Sequence, residues 1–431
     1  MTWGAIAAPR ASWGTFIRNQ TGSLGAEWGA GWGDERYGPR VTDGARERGA
    51  EDEAFEEVER VTALELFFDL VFVFALTQGT SLMATEPTWF GLLRGMAVLT
   101  VLWWAWVAYV WIGTTTDAED GVARFVLLIS MAAMLVTALA APGAFGDYGV
   151  LFGAAYFVVR VLHVIMFRVV GREQPGVGAA VAKLAPGLLV GSALIVVAGF
   201  LPAGWPRGTL WLLAVVIDVG SPLVTGTEGW HVSPGHFSER HGLVIIIALG
   251  ESLVALGVGV STEVLTARII LAVLLGFVAV ACLWWLYFDV VSIAAERKFA
   301  SAPEAERNDI ARDSYNYFHL PMVAGIVLLA LGLKKVFAGL DDPLKPQLSV
   351  ALFGGVALYL LGHLLFRRRN MKTWNVQRAV VMLLMLALIP VGIVVPAWMS
   401  LVAVTSALIA LVTYEALHFA AGRRAIRATQ D

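Results

Sequence analysis

Two carboxylates, Glu65 and Asp69, interrupt an apolar stretch, VTALELFFDLVFVFALTQ, that runs from Val61 to Gln78. Their i, i+4 spacing places both on one face of a helix, one turn apart. A carboxylate at the centre of a bilayer costs roughly 2.5–3.5 kcal/mol on insertion scales. Two on one face need a cation, water or protons, so the face either glues helices together or lines a polar cavity. The cavity is the expectation adopted. A second dense stretch, HVSPGHFSERHGLVIIIALGESLVALGVG, starts at His231. Its histidines His231, His236 and His241 are five residues apart, a spacing that drifts around a helix and matches no metal-ligand pattern. No metal and no cofactor are expected, and Glu239, Arg240 and His241 are read as a polar cap on a span. Glu251 lies twelve residues past Glu239, about 18 Å along a helix. That depth is near the midplane, among small residues (Gly250, Ser252, Gly257, Gly259) that permit close helix approach. Glu251 is the group expected to exchange a proton in a working cycle.

The elements that must position these residues are membrane spans. The chain has 431 residues, 58% hydrophobic and only 15% charged, with a mean hydropathy of +0.71. An ordinary soluble protein is about 25% charged. Runs of about 20 apolar residues recur after residue 60, each long enough to cross a bilayer. The single cysteine, Cys282, excludes an intramolecular disulfide and a cysteine-built metal site. The fold class is therefore all-α, a polytopic transmembrane bundle of about twelve spans. The last two spans, 376–395 and 397–419, are divided around Pro396 and read as a hairpin or a re-entrant pair.

Residues 1–60 mix Gly, Trp, Arg and Glu without apolar periodicity, and are expected to be a disordered cytoplasmic extension. Arginine and lysine gather in alternate loops (Arg168, Arg172, Lys183; Arg297, Lys298, Arg307, Arg312; Arg367, Arg368, Arg369, Lys372) and in the tail. By the positive-inside rule both termini are cytoplasmic, as an even number of spans requires. The halves also resemble each other. LFGAAYFVVRVLHVIMFR from Leu151 and LFGGVALYLLGHLLFRR from Leu352 share their opening, a histidine (His163, His363) and a closing Phe-Arg. LWWAWVAYV from Leu102 pairs likewise with LWWLYFDVV from Leu283. The expected division is a first six-helix repeat over 61–224, a loop over 225–238, a second repeat over 239–419 and a basic cytoplasmic tail over 420–431. Repeats of six helices are parallel, related by an axis along the membrane normal.

Two of these motifs carry a family resemblance. Glu65-Leu66-Phe67-Phe68-Asp69-Leu70-Val71-Phe72-Val73 resembles the opening motif of the bacterial low temperature requirement A family. His236-Phe237-x-Glu239-Arg240-His241-Gly242-Leu243, continued by Ala248-Leu249-Gly250-Glu251-Ser252, resembles its second hallmark. The similarity covers roughly residues 60–420. It implies an integral membrane protein, placed here in the bacterial cytoplasmic (inner) membrane, and it gives weight to the motif residues without supplying a reaction.

Depth along the spans adds a geometric expectation. Glu65, Asp69, Arg160, His163 and His363 all fall in the cytoplasmic half, with Glu251 deeper. Short Asp69 and rigidly placed His163 cannot snorkel to the interface as long side chains do. A vestibule open to the cytoplasm follows, with Asp69–Arg160 the expected ion pair. The candidate binding residues are Glu65, Asp69, Arg160, His163, Glu239, Arg240, His241, Glu251 and His363, and none is assigned a catalytic role. A secondary transporter, proton-coupled through its acids and histidines, explains the repeat and the buried charges best. A channel is the alternative: Phe68-Asp69-x-x-Phe72 distantly resembles the Phe-Ser-Asp motif of a 6+6 family of potassium channels, although the second half has no matching acid. A membrane-embedded enzyme ranks below both, since no nucleophile motif, phosphate loop or metal signature is present. The expected partners are the lipid bilayer and a small solute or ion, including protons. The basic residues serve as topology determinants and not as a nucleic-acid surface.

Overall fold

A computed structural model describes residues 61–114, 121–261, 264–420 and 423 of the chain. The extension over 1–60 and nearly all of the tail over 420–431 lie outside the described residues. The rest is helical, with no strand among the described residues. We number the helices α1 (Ala63–Thr85), α2 (Trp89–Gly113), α3 (Gly121–Ala140), α4 (Gly149–Glu173), α5 (Pro175–Phe200) and α6 (Trp205–Thr225). The second half continues with α7 (Pro234–Gly259), α8 (Ala267–Ala300), α9 (Glu304–Phe337), α10 (Pro346–Met371), α11 (Val376–Gly392) and α12 (Ala397–His418). Eleven of these are long and apolar enough to cross a membrane, and α11 is a shorter apolar helix of 17 residues. At 1.5 Å per residue α11 spans about 25 Å, the lower limit for a crossing. The chain is an all-α, multi-pass membrane protein.

Local sequence sets where the helices start. Thr62 caps α1: its hydroxyl accepts the Glu65 amide while the Glu65 carboxylate accepts the Thr62 amide. This reciprocal box satisfies two of the otherwise unpaired first-turn donors. Pro234 occupies the first turn of α7, where a missing N–H costs nothing. Helical structure therefore already begins at Pro234, inside the stretch 225–238 expected as a loop.

Burial separates central from peripheral helices. In α2, 83% of the apolar window is buried inside the protein, against 17% in α6, which lies at the periphery. A helix apolar all round belongs at the centre of a bundle. The indoles of α2 tie it to three neighbours: Trp103 donates to Asn316 O, Trp104 to Asp218 O and Trp106 to Asp69 Oδ1. Each buried indole N–H thus has its partner.

Helices α9 and α10 cross with their backbones in contact. A Cβ on Gly325 would stand 2.5 Å from Gly355 O, so only glycine permits this approach. Both helices carry π turns, Ala311–Tyr317 in α9 and Val350–Gly354 in α10. Wide turns of this kind free backbone carbonyls, and His319 uses one, its Nδ1 lying 2.9 Å from Ser314 O, five residues back.

Candidate functional site: a buried charge cluster between α1 and α7

The site begins with two matched i, i+4 pairs. Glu65 and Asp69 leave one face of α1, and His236 and Arg240 leave one face of α7. The pairs meet in register. Arg240 donates to Glu65 Oε1 at 2.7 Å and to Asp69 Oδ1 at 2.6 Å, while His236 Nε2 lies 3.0 Å from Glu65 Oε2. All four are buried, Asp69 and Arg240 with 0% and 1% of their surface exposed. Trp106 adds an indole N–H to Asp69 Oδ1 at 2.7 Å, and its ring lies 5.9 Å beneath the Arg240 guanidinium. Asp69 Oδ2 and His236 Nδ1 are buried without a protein partner among the described residues.

Charge counting gives the cluster its chemistry. Two carboxylates face one guanidinium and one imidazole. Such a group is neutral only when it holds one proton beyond those of Arg240 and the neutral imidazole. An uncompensated charge in a low-dielectric interior is costly, so the proton belongs to the cluster.

Helix α7 touches α1 again twelve residues further along α1 and fifteen further along α7. Thr77 Oγ1 lies 2.6 Å from Glu251 Oε2 and 3.2 Å from Val73 O. Contacts at Glu65–His236 and at Thr77–Glu251 require the two helices to run parallel. Thr77 has one hydroxyl hydrogen for two oxygens. Both contacts are made at once when Glu251 is protonated and donates to Thr77, which then donates to Val73 O.

The pairing expected between Asp69 and Arg160 is not formed. Arg160 lies beside Asp218 of α6, at 2.5 Å, and also donates to Tyr156 Oη and Trp104 O. Two arginines and three acids compete in the same half of the bundle, and helix packing, which spacing does not encode, chooses the partners. His163 stands next to this pair on α4, lining a cavity of about 60 Å³ with Trp104, Trp111, Trp230 and Asn316. Neither ring nitrogen of His163 has a protein partner among the described residues, although the residue is 1% exposed.

The remaining predicted residues fall in other places. Glu239 is exposed, and among the described residues its carboxylate receives only the Val61 amide, at 3.4 Å. It faces an open recess of about 550 Å³ shared with Glu296 and Tyr287, away from the buried cluster. His241 is fully buried against Trp106 and His319, at ring distances of 5.1 and 5.2 Å. His363 receives a hydrogen bond from Arg378, which binds Glu415 through two nitrogens at 2.9 and 2.8 Å. Sequence spacing missed His236 as the partner of Glu65, although its i, i+4 relation to Arg240 mirrors Glu65 and Asp69. It also missed Trp106 and His319, which carry no polar pattern of their own. His319 accepts from the Tyr287 hydroxyl at 2.8 Å and so connects the recess to the buried imidazoles. No group of three or more metal-ligating side chains occurs among the described residues.

The family model described as "Bacterial low temperature requirement A protein (LtrA)" matches residues 60–413. The chain is also 28% identical over 319 residues to an uncharacterized protein of Rhizobium meliloti (strain 1021), covering 70% of this chain and 76% of that relative. No solved structure matches it.

Proposed function

The chain belongs to the bacterial low temperature requirement A family, and on that premise we propose that it is a proton-coupled secondary transporter of the bacterial cytoplasmic membrane. One observation carries this reading. The first helices of the two halves, α1 and α7, meet through a buried cluster whose neutrality depends on one exchangeable proton. Gain or loss of that proton changes the charge at the contact between halves, which is where alternating-access transporters place their coupling groups. Glu251 is the second exchange site, reached along the same helix pair. The cavity beside His163 is the candidate solute site, since a buried imidazole without a protein partner calls for a polar guest.

The two halves are read as parallel six-helix repeats with both termini in the cytoplasm. A partial likeness supports this: in each half the histidine of the fourth helix stands beside an arginine whose acid comes from the last helix, although the arginine lies on the fourth helix in the first half and on the fifth in the second. These sets are His163, Arg160 and Asp218, and His363, Arg378 and Glu415.

Reconstitution tests the proposal. Proteoliposomes holding the full chain, given a mixture of small metabolites and an imposed pH gradient, should accumulate one solute class against its gradient. A protonophore and the Asp69→Asn substitution should each abolish the accumulation. A steady ion current across planar bilayers without accumulation would instead identify a channel and defeat this reading.

A further inference from the structure

Away from the α1–α7 cluster, a cavity of about 310 Å³ opens between α8, α10, α11 and α12 at the arginine-rich end of the bundle. Three guanidiniums line it, Arg367, Arg378 and Arg423, against two carboxylates, Asp289 and Glu415. Arg378 is committed to Glu415 and Arg423 to Asp289. Arg367 is exposed and forms no hydrogen bond or ion pair among the described residues, so the cavity keeps one positive charge. Just outside it, Arg368 stacks 5.9 Å over the ring of Trp374, beside Lys372, and raises the local excess. The first turn of α11, whose amides favour anions, lines the same cavity.

The surroundings are those of a membrane interface. Trp285 and Trp374 stand at the rim, 38% and 57% exposed, where indoles sit at headgroup level. Beside them the first turns of α11 and the last turn of α12 present exposed Val376, Val380 and Leu417, a surface suited to acyl chains. A basic pocket between membrane helices, with apolar walls leading into the bilayer, fits an anionic headgroup and its tails together. We infer that this cavity binds the phosphate of an anionic phospholipid, with Arg367 as the recognising cation and Trp374 as the lid of the headgroup. The site is independent of the transport reading, because it uses none of the groups of the α1–α7 cluster.

The test uses the purified full chain in detergent, followed by native mass spectrometry and thermal unfolding. Phosphatidylglycerol should remain bound and raise the melting temperature, whereas phosphatidylcholine should do neither. Arg367→Gln should weaken phosphatidylglycerol retention about five-fold, the weight of one basic residue near an anionic surface. Arg94→Gln, at the opposite end of the bundle, should leave it unchanged. Equal retention of the two lipids, or no effect of Arg367→Gln, would overturn the assignment. Inorganic phosphate stabilising the protein as well as phosphatidylglycerol would mark a free-phosphate site and overturn the lipid assignment.

Discussion

Asp69 has no freedom to be exposed, and its energetic role follows from that. Its Oδ1 takes two strong donors, Arg240 and Trp106, in a site with no exposed surface. Removing one member of a buried pair typically costs about 3–5 kcal/mol, because the other is left charged and unpaired, while removing both is far milder. Arg240→Gln strands two buried carboxylates and should therefore lower the melting temperature and the monodisperse yield sharply, and Arg240→Gln with Asp69→Asn, which leaves Glu65 to His236, should recover much of both. Asp218→Asn should give no such rescue, since Asp218 answers to Arg160. Gly113 offers a second test at this scale. A Cβ there would lie 2.1 Å from Glu65 Oε1, an atom pinned by Arg240. Gly113→Ala should cost about 1–3 kcal/mol. In a Glu65→Ala background the same change should cost little more, and a double-mutant cycle by thermal unfolding measures that difference.

At the scale of elements, the parallel contact of α1 and α7 divides into a structural and a proton-exchanging part. Glu251→Gln keeps an amide in reach of Thr77 and mimics the protonated acid, so it should leave folding intact. The same variant should abolish the pH dependence of flux in proteoliposomes; full pH-dependent flux would make Glu251 structural. The α9–α10 crossing behaves differently, because backbone meets backbone. Gly325→Leu must push the helices apart against Gly355 O and should cost about 1–3 kcal/mol or more. Gly257→Leu on α7, where a Cβ meets nothing within 4 Å, should be close to neutral in the same thermal assay.

For the whole molecule, the ends of the last helices bear on topology. Arg378 at the start of α11 reaches both His363 near the end of α10 and Glu415 near the end of α12. Helices α11 and α12 are thus an antiparallel hairpin whose two ends return to the side where α10 finishes. A fluorescent protein fused after Asp431 should accordingly be bright in the cytoplasm, and alkaline phosphatase fused after Asp341 should be active outside. Arg268 and Asp341, paired at that opposite end, mark its water-exposed surface. A silent phosphatase at Asp341 would invert the topology.

Residue order alone determined the class, the helical content and the identity of the charged faces, because hydropathy and i, i+4 spacing are local properties. Glu65, Asp69, Arg240, His241 and Glu251 were all legible as functional candidates on that basis. Which charges meet is not local. Arg160 stands in an apolar run and Arg240 in a polar cap, and neither setting names its partner. Only the packing of α4 against α6 and of α1 against α7 delivers one to Asp218 and the other to Asp69. The same packing recruited Trp106 and His319, whose roles come from neighbours on other helices. It left Glu239 outside the cluster, because one residue along a helix is a turn of about 100° and carries the side chain off the face that meets Glu65 and Asp69. Spacing fixed the faces; the tertiary structure decided the partners, since a buried charge accepts whichever counter-charge the surrounding helices bring within hydrogen-bond reach.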